Sequence, residues 1–211
     1  MPLNNCTPVI LDDKGTLIYQ DKDAHAITSA PICLKNIALK LFPEYPSQYV
    51  LDLGTGCGII AISLAMERPS WKIEGLDILP HMIELATHNA ELCSLNIKFQ
   101  LANLCTFTTE TPYSLIISNP PWQPLGTGKI SPHPAKNISR FELMCSMPEI
   151  LSFLERNLTS EGNALLLYPD FRIPELQTLI YKTSLDIFDL IPCPGIDKHF
   201  ICHIRYKGTK K

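Results

Sequence analysis

The chain has 211 residues, of which 45% are hydrophobic and 18% charged, and a formal net charge of −3. This composition suits one well-buried globular domain and excludes a disordered or fibrous chain. The acidic balance also argues against broad, nonspecific binding of nucleic acid, which rests on many basic phosphate contacts.

The start, Met1-Pro2-Leu3-Asn4-Asn5-Cys6, has neither a basic nor an apolar leader region. Apolar runs such as Ile59-Ile60-Ala61-Ile62 are too short to span a bilayer. The expectation is a soluble, cytoplasmic protein with no membrane partner. None of the eight cysteines forms a C-x-x-C pair, and no histidine cluster has zinc-finger spacing. Reduced, mostly buried thiols and no metal site are therefore expected.

In chain order, Val9-Ile10-Leu11 and Thr16-Leu17-Ile18-Tyr19 flank Asp12-Asp13-Lys14-Gly15, which reads as a hairpin. Residues 31–42 carry Ile32, Leu34, Ile37, Ala38 and Leu41 at helical spacing, until Pro43 and Pro46 end the run. Residues 1–45 are thus expected as a short hairpin and helix extension, and residues 46–211 as the main domain. From Tyr49 the pattern alternates. Strands are expected near 49–53, 72–77, 97–101, 114–118, 163–168, 186–191 and 200–206. Helices are expected near 57–67, 80–94, 147–157 and 172–182. Ser146-Met147-Pro148-Glu149 has the form of a capping box with proline in the first turn. This alternation implies an α/β fold. It is a Rossmann-like seven-stranded sheet, mostly parallel, with helices on both faces. No helix separates the last two strands, so they are expected as an antiparallel edge hairpin.

The first strand of that sheet runs through Asp52 into Gly54-Thr55-Gly56-Cys57-Gly58. Three alternating glycines let a backbone turn tightly and approach a ligand where a Cβ would clash. Asp77 ends the next strand, nineteen residues after Gly58, where a carboxylate can take both hydroxyls of a ribose. The last glycine of a dinucleotide fingerprint is missing, because Ile59 stands in its place. A nucleoside without pyrophosphate therefore fits better than NAD. A purely structural turn beside a surface aspartate is the plainer alternative.

The arrangement resembles the class I methyltransferases that use S-adenosylmethionine. The resemblance implies that Asp52, Gly54, Thr55, Gly56 and Gly58 sit against the methionine end of the cofactor. Asp77, with Ile78, would hold the ribose. Asn103, with Leu104, would meet the adenine, although an aspartate is more usual there. Asn119 would complete the cofactor-binding set.

Asn119-Pro120-Pro121-Trp122 follows the apolar run Ser114-Leu115-Ile116-Ile117-Ser118. The nitrogen of an adenine amine or a glutamine amide is a poor nucleophile, because its lone pair is delocalised. The Asn119 side-chain oxygen and the Pro120 carbonyl can each accept one N–H and localise that pair. Pro121 stiffens the loop, and Trp122 offers a flat face to a planar target. These four residues are the catalytic candidates. The carboxyl end of a central strand is also where open α/β sheets bind ligands.

Gln123 to Arg140 contains Lys129, Lys136 and Arg140 and no acidic residue, so these three are candidate substrate contacts. Gly126 to Leu143 resembles a glycine–basic–Pro-x-Pro segment of the bacterial tRNA(Val) adenine-N6 methyltransferases, and Gln20 to Ala30 is weakly similar to an upstream stretch of theirs. That resemblance implies transfer of a methyl group to the exocyclic N6 of an adenine in tRNA. The alternatives are an N5-glutamine methyltransferase acting on a protein such as a release factor, a small-molecule methyltransferase, or a binding module that kept the pocket and lost activity.

Overall fold

The computed structural model describes residues 5–24, 28–123 and 145–208. Strands β1 (Cys6–Ile10) and β2 (Leu17–Asp21) pair antiparallel, as a two-stranded sheet of their own. Helix α1 (Ser29–Leu41) follows, its N-terminus capped by the Thr28 hydroxyl, which accepts from Ala30 N–H at 3.2 Å. The main sheet then alternates with helices: β3 (Tyr49–Leu53), α2 (Ile59–Glu67), β4 (Lys72–Asp77), α3 (Pro80–Leu92), β5 (Lys98–Leu101) and β6 (Tyr113–Ser118). After α4 (Met147–Asn157) come β7 (Leu158–Pro169), a 3-10 turn (Asp170–Arg172), α5 (Ile173–Ile180), β8 (Leu185–Pro192) and β9 (His199–Tyr206).

The seven strands lie in the order β5-β4-β3-β6-β7-β9-β8. The β5 to β7 side is parallel throughout. Strand β9 runs antiparallel to both neighbours, and it lies between β7 and β8. The expected edge hairpin is therefore real, with the later strand on its inner side. Strand order reverses between β3 and β6, which opens a crevice beyond their carboxyl ends.

Period-two alternation divides the central strands between two cores. Val50, Leu115, Ile117, Leu165 and Leu167 face α1, α2 and α3. Leu51, Leu53, Ile116, Leu166 and Tyr168 face α4 and α5. Both faces are covered, so these strands read as apolar runs rather than as alternating ones. Helix α2 is buried on nearly every side, which is why its sequence shows so little polar spacing. Helix α4 is amphipathic, and its capping box forms as expected: the Ser146 N–H and hydroxyl both donate to Glu149 Oε2, at 2.6 and 2.7 Å.

Asn89 joins the N-terminal hairpin to the main sheet's helices. This fully buried side chain on α3 accepts from Tyr19 N–H at 2.8 Å. Its amide donates to the Tyr19 carbonyl at 2.8 Å and to the Cys57 carbonyl at 2.9 Å. One amide thus ties β2, α3 and the glycine turn together, and leaves no polar group of its own unpaired.

His203 is buried at the centre of β9, bonded through Nε2 to Asn163 Oδ1 at 2.8 Å and edge-on to Phe188 and Phe42. Burial lowers its pKa to about 4, helped by the Arg205 charge and opposed by Asp189. An unfolded histidine titrates near 6.5. The unfolded chain therefore binds the extra proton, and the stability tied to neutral His203 is complete above about pH 6.5 and lost as pH falls toward 4. Urea unfolding at pH 7.5 and 5.5 should show a smaller acid loss in His203→Gln than in the unsubstituted chain.

Candidate functional site

The crevice holds a cavity of about 220 Å³. Its walls come from the carboxyl ends of β3, β4 and β6: Leu53 with the glycine turn, Leu76 with Asp77, and Ser118 with Asn119. Ala102 and Leu104 lie beyond β5, and Cys145 and Ile150 close the α4 side. The N-terminal extension supplies a further wall through Gln20, Asp21, Ala24, Thr28 and Pro31.

The glycine turn is fixed from below. Gly54, Gly56 and Gly58 take φ values of +73°, +54° and +86°, a region costly for any residue with a Cβ. Gly54 and Thr55 N–H both donate to the Leu76 carbonyl, at 2.8 and 3.0 Å. Asp52 Oδ2 accepts from the Thr55 hydroxyl at 2.8 Å and from Ala61 N–H at 3.2 Å. Gly58, the N-cap of α2, has no side chain to cap with, so a carboxylate from the neighbouring strand takes one of the helix's free N–H groups. Burial pushes Asp52 up to about 7, against its two hydrogen bonds and with help from the Asp77 charge. Its other oxygen, Oδ1, is buried without a hydrogen-bond partner.

Asp77 holds the turn from the side. Its Oδ2 accepts from Gly56 N–H at 2.9 Å and its Oδ1 from Leu79 N–H at 3.0 Å. Burial raises its pKa, while the Leu79 and Gly56 bonds work in the opposite direction. Each carboxylate oxygen retains a second lone pair for a ligand in the cavity.

Gly75 on β4 escaped the sequence reading. A Cβ there would lie 2.5 Å from the Phe99 ring and 2.8 Å from the Thr55 hydroxyl. Only glycine lets β5 and the turn close over β4. Asp21 was missed as well. It lines the cavity, accepts from the Asn5 amide at 3.0 Å and from Asp23 N–H at 2.8 Å, and lies 3.5 Å from His81 Nε2. No local pattern announces it, because two of those partners come from other parts of the chain.

The structure brings most of the candidates together. Gly54, Thr55, Gly56, Asp77, Ile78, Leu104, Asn119, Pro120 and Pro121 all line the cavity. Asp52 and Gly58 stand behind the turn and support it. Asn103 does not line the cavity; its side-chain oxygen accepts from Cys105 N–H at 2.8 Å and shapes its own turn. The neighbours Ala102 and Leu104 present the wall instead. Nor does Trp122 line the cavity. The two prolines carry the chain past the end of β6, and the indole packs edge-on to Phe171 at 5.9 Å and to His199 at 6.1 Å. Lys129, Lys136 and Arg140 lie outside the described residues.

These residues fit S-adenosylmethionine. A Cβ built on Gly54 or Gly56 meets nothing within 4 Å, so the turn leaves open space beside a backbone of free approach. Asp77 offers a carboxylate to a ribose, the Ile78, Ala102 and Leu104 wall suits an adenine, and among the described residues the lining has no basic group for a pyrophosphate.

Residues 33–130 match the family described as Methyltransferase small domain. The release factor glutamine methyltransferase of Escherichia coli (strain K12) is 34% identical over 145 residues, covering 64% of this chain and 50% of the relative. That of Enterococcus faecalis is 36% identical over 153 residues, covering 72% of this chain and 49% of the relative. The chain thus spans about half the length of these curated relatives. Among solved structures, ribosomal protein L11 methylase from Lactobacillus delbrueckii subsp. bulgaricus superposes with a TM-score of 0.65 at 17% identity, over 89% of this chain and 84% of its own. The Pyrococcus abyssi tRNA (uracil-54, C5)-methyltransferase, in complex with S-adenosyl-L-homocysteine, gives 0.65 at 16% identity, over 95% and 44%. At such identities the likeness concerns the fold alone. These curated relatives are glutamine methyltransferases and so favour the alternative reading over the expected kinship with tRNA(Val) adenine-N6 methyltransferases. Asn-Pro-Pro can serve either kind of planar nitrogen, so that motif could not tell the two families apart. Residues 33–130 thus resemble the Methyltransferase small domain family, and the chain takes the Rossmann-like fold of these solved methyltransferases.

Proposed function

We propose that the chain methylates the side-chain amide nitrogen of a glutamine in a protein substrate of the release-factor kind. The observation that carries the reading is the placement of Asn119, Pro120 and Pro121 on the same cavity as the glycine turn and Asp77. The choice of a protein acceptor over an adenine rests on the names of the curated relatives.

When bound, S-adenosylmethionine supplies an electrophilic methyl group on a sulfonium. The residues of the chain do the rest by position. Asp77 orients the cofactor through its ribose, and Gly54 and Gly56 allow the backbone to lie against the methionine end. The Asn119 side-chain oxygen and the Pro120 carbonyl each accept one N–H of the acceptor amide. Both bonds strengthen as that nitrogen gains positive charge and becomes tetrahedral, so they favour the transition state over the ground state. Pro121 removes freedom that would otherwise have to be frozen at reaction. No strong base is needed, because the proton leaves a nitrogen made acidic by methylation. Leu53, Ile60, Leu76 and Met82 keep the chamber apolar, which strengthens every charge–dipole contact inside it.

Asp77→Ala should weaken S-adenosylmethionine binding by ~1–3 kcal/mol, read by calorimetry, and NAD should give no heat with either protein. Asn119→Ala should leave cofactor affinity nearly intact and lower turnover by on the order of a hundredfold. The acceptor is decided with methyl-labelled cofactor and two substrates, a bacterial release factor and unmodified tRNA. Mass spectrometry should find the label on a glutamine of the protein. Label on a tRNA adenine, with the release factor unmodified, would reinstate the adenine reading and reject this one.

A further inference from the structure

The largest fully buried side chain among the described residues is that of Arg172, only 2% exposed. It ends the 3-10 turn that follows β7. Its Nη1 donates to the main-chain carbonyl of Trp122. Its Nε lies 2.9 Å from Glu175 Oε2 in the first turn of α5, and its guanidinium carbon stands 6.0 Å from the centre of the Tyr168 ring. Burying a guanidinium is costly unless every charge and donor is matched. An apolar side chain of like volume would fill the same space at less risk. What the arginine adds is a directional hold on one particular carbonyl.

That carbonyl belongs to the residue directly after Pro121. At the other end of the same short loop, the Ser118 hydroxyl donates to the Leu53 carbonyl at 2.7 Å, which pins the loop to β3. Between the two anchors lie only Asn119, Pro120 and Pro121, and both prolines have a fixed φ. Little freedom is left for the Asn119 backbone once both ends are held. Trp122 is steadied further by Phe171, the neighbour of Arg172 in the same turn, and by His199 at the start of β9.

We propose that Arg172 is a positioning residue: through the Trp122 carbonyl it sets the path of the Asn119–Pro121 loop against the cavity. Its effect on catalysis rests on the assignment of that loop to the acceptor, but its effect on the loop does not. Glu175 holds the guanidinium in the required orientation, aided by its place at the N-terminus of α5.

The test uses the whole chain in a Trp71→Phe background, which leaves Trp122 as the single tryptophan. Arg172→Lys, Arg172→Met and Glu175→Gln are compared by acrylamide quenching of Trp122, by cofactor affinity and by steady-state kinetics. Trp122 should become more accessible to the quencher in all three, most in Arg172→Met. The turnover number should fall by roughly ten- to a hundredfold, as for a displacement of about 1 Å at a reacting group. Arg172→Lys should recover part of that loss, while cofactor Kd stays unchanged. Glu175→Gln alters a half-exposed side chain, so it carries the test if Arg172→Met does not fold. Unchanged quenching in Glu175→Gln and in whichever Arg172 variant folds would overturn the proposal. So would a loss of turnover matched by an equal loss of cofactor affinity. If the unsubstituted chain methylates no glutamine, quenching alone decides the positioning role, and the acceptor assignment fails separately.

Discussion

The site depends on a carboxylate that stands behind the cavity wall rather than in it. Asp52 lies under the glycine turn and bonds to Thr55 within the turn and to Ala61 in the helix beyond it. Those two bonds tie the turn, β3 and α2 together. The three left-handed glycines have no steric preference of their own for this shape. The shape is imposed by Asp52 from below, by Asp77 from the side and by the Leu76 carbonyl at the strand end.

Burying two carboxylates strains the site: the upward shift of Asp52 to about 7 comes mainly from burial, with a smaller push from the Asp77 charge. A cofactor carrying a sulfonium and an ammonium would relieve the strain, because a nearby positive charge favours the ionised form of both. The apolar remainder of the chamber keeps that attraction from being screened. The side of the cavity that carries Asn119 is built on another principle. Among the described residues it has no buried carboxylate, and a stiff three-residue loop is anchored at each end by a hydrogen bond to a main-chain carbonyl.

What was legible in the sequence follows from the range of the interactions. The glycine turn, Asp77 and the Asn-Pro-Pro loop are local patterns at strand ends, and the alternation of apolar runs fixes where strands end. The capping box of α4 was readable for the same reason. Asp21, Gly75 and Arg172 were not, because each is explained by a partner far away along the chain: Asn5 and His81, Phe99, and Trp122. Asn103 is a different case. Its position in the order of elements suggested a ligand contact, but a short polar side chain after a strand often bonds to its own backbone, as it does here to Cys105. The placement of β9 inside β8 was equally hidden, since two adjacent antiparallel strands look alike in either order.

That placement has a consequence for how the chain is made. Strand β9 follows β8 along the chain, yet it occupies a slot between β7 and β8. Until residues 199–206 leave the ribosome, β7 shows an open hydrogen-bonding edge along a run in which Ala164 to Tyr168 are all buried in the finished fold. An open apolar edge of this kind invites pairing with other chains. The growing chain is therefore vulnerable to aggregation until β9 is available to pair. Any slowing of translation before residues 199–206 emerge would prolong that exposure.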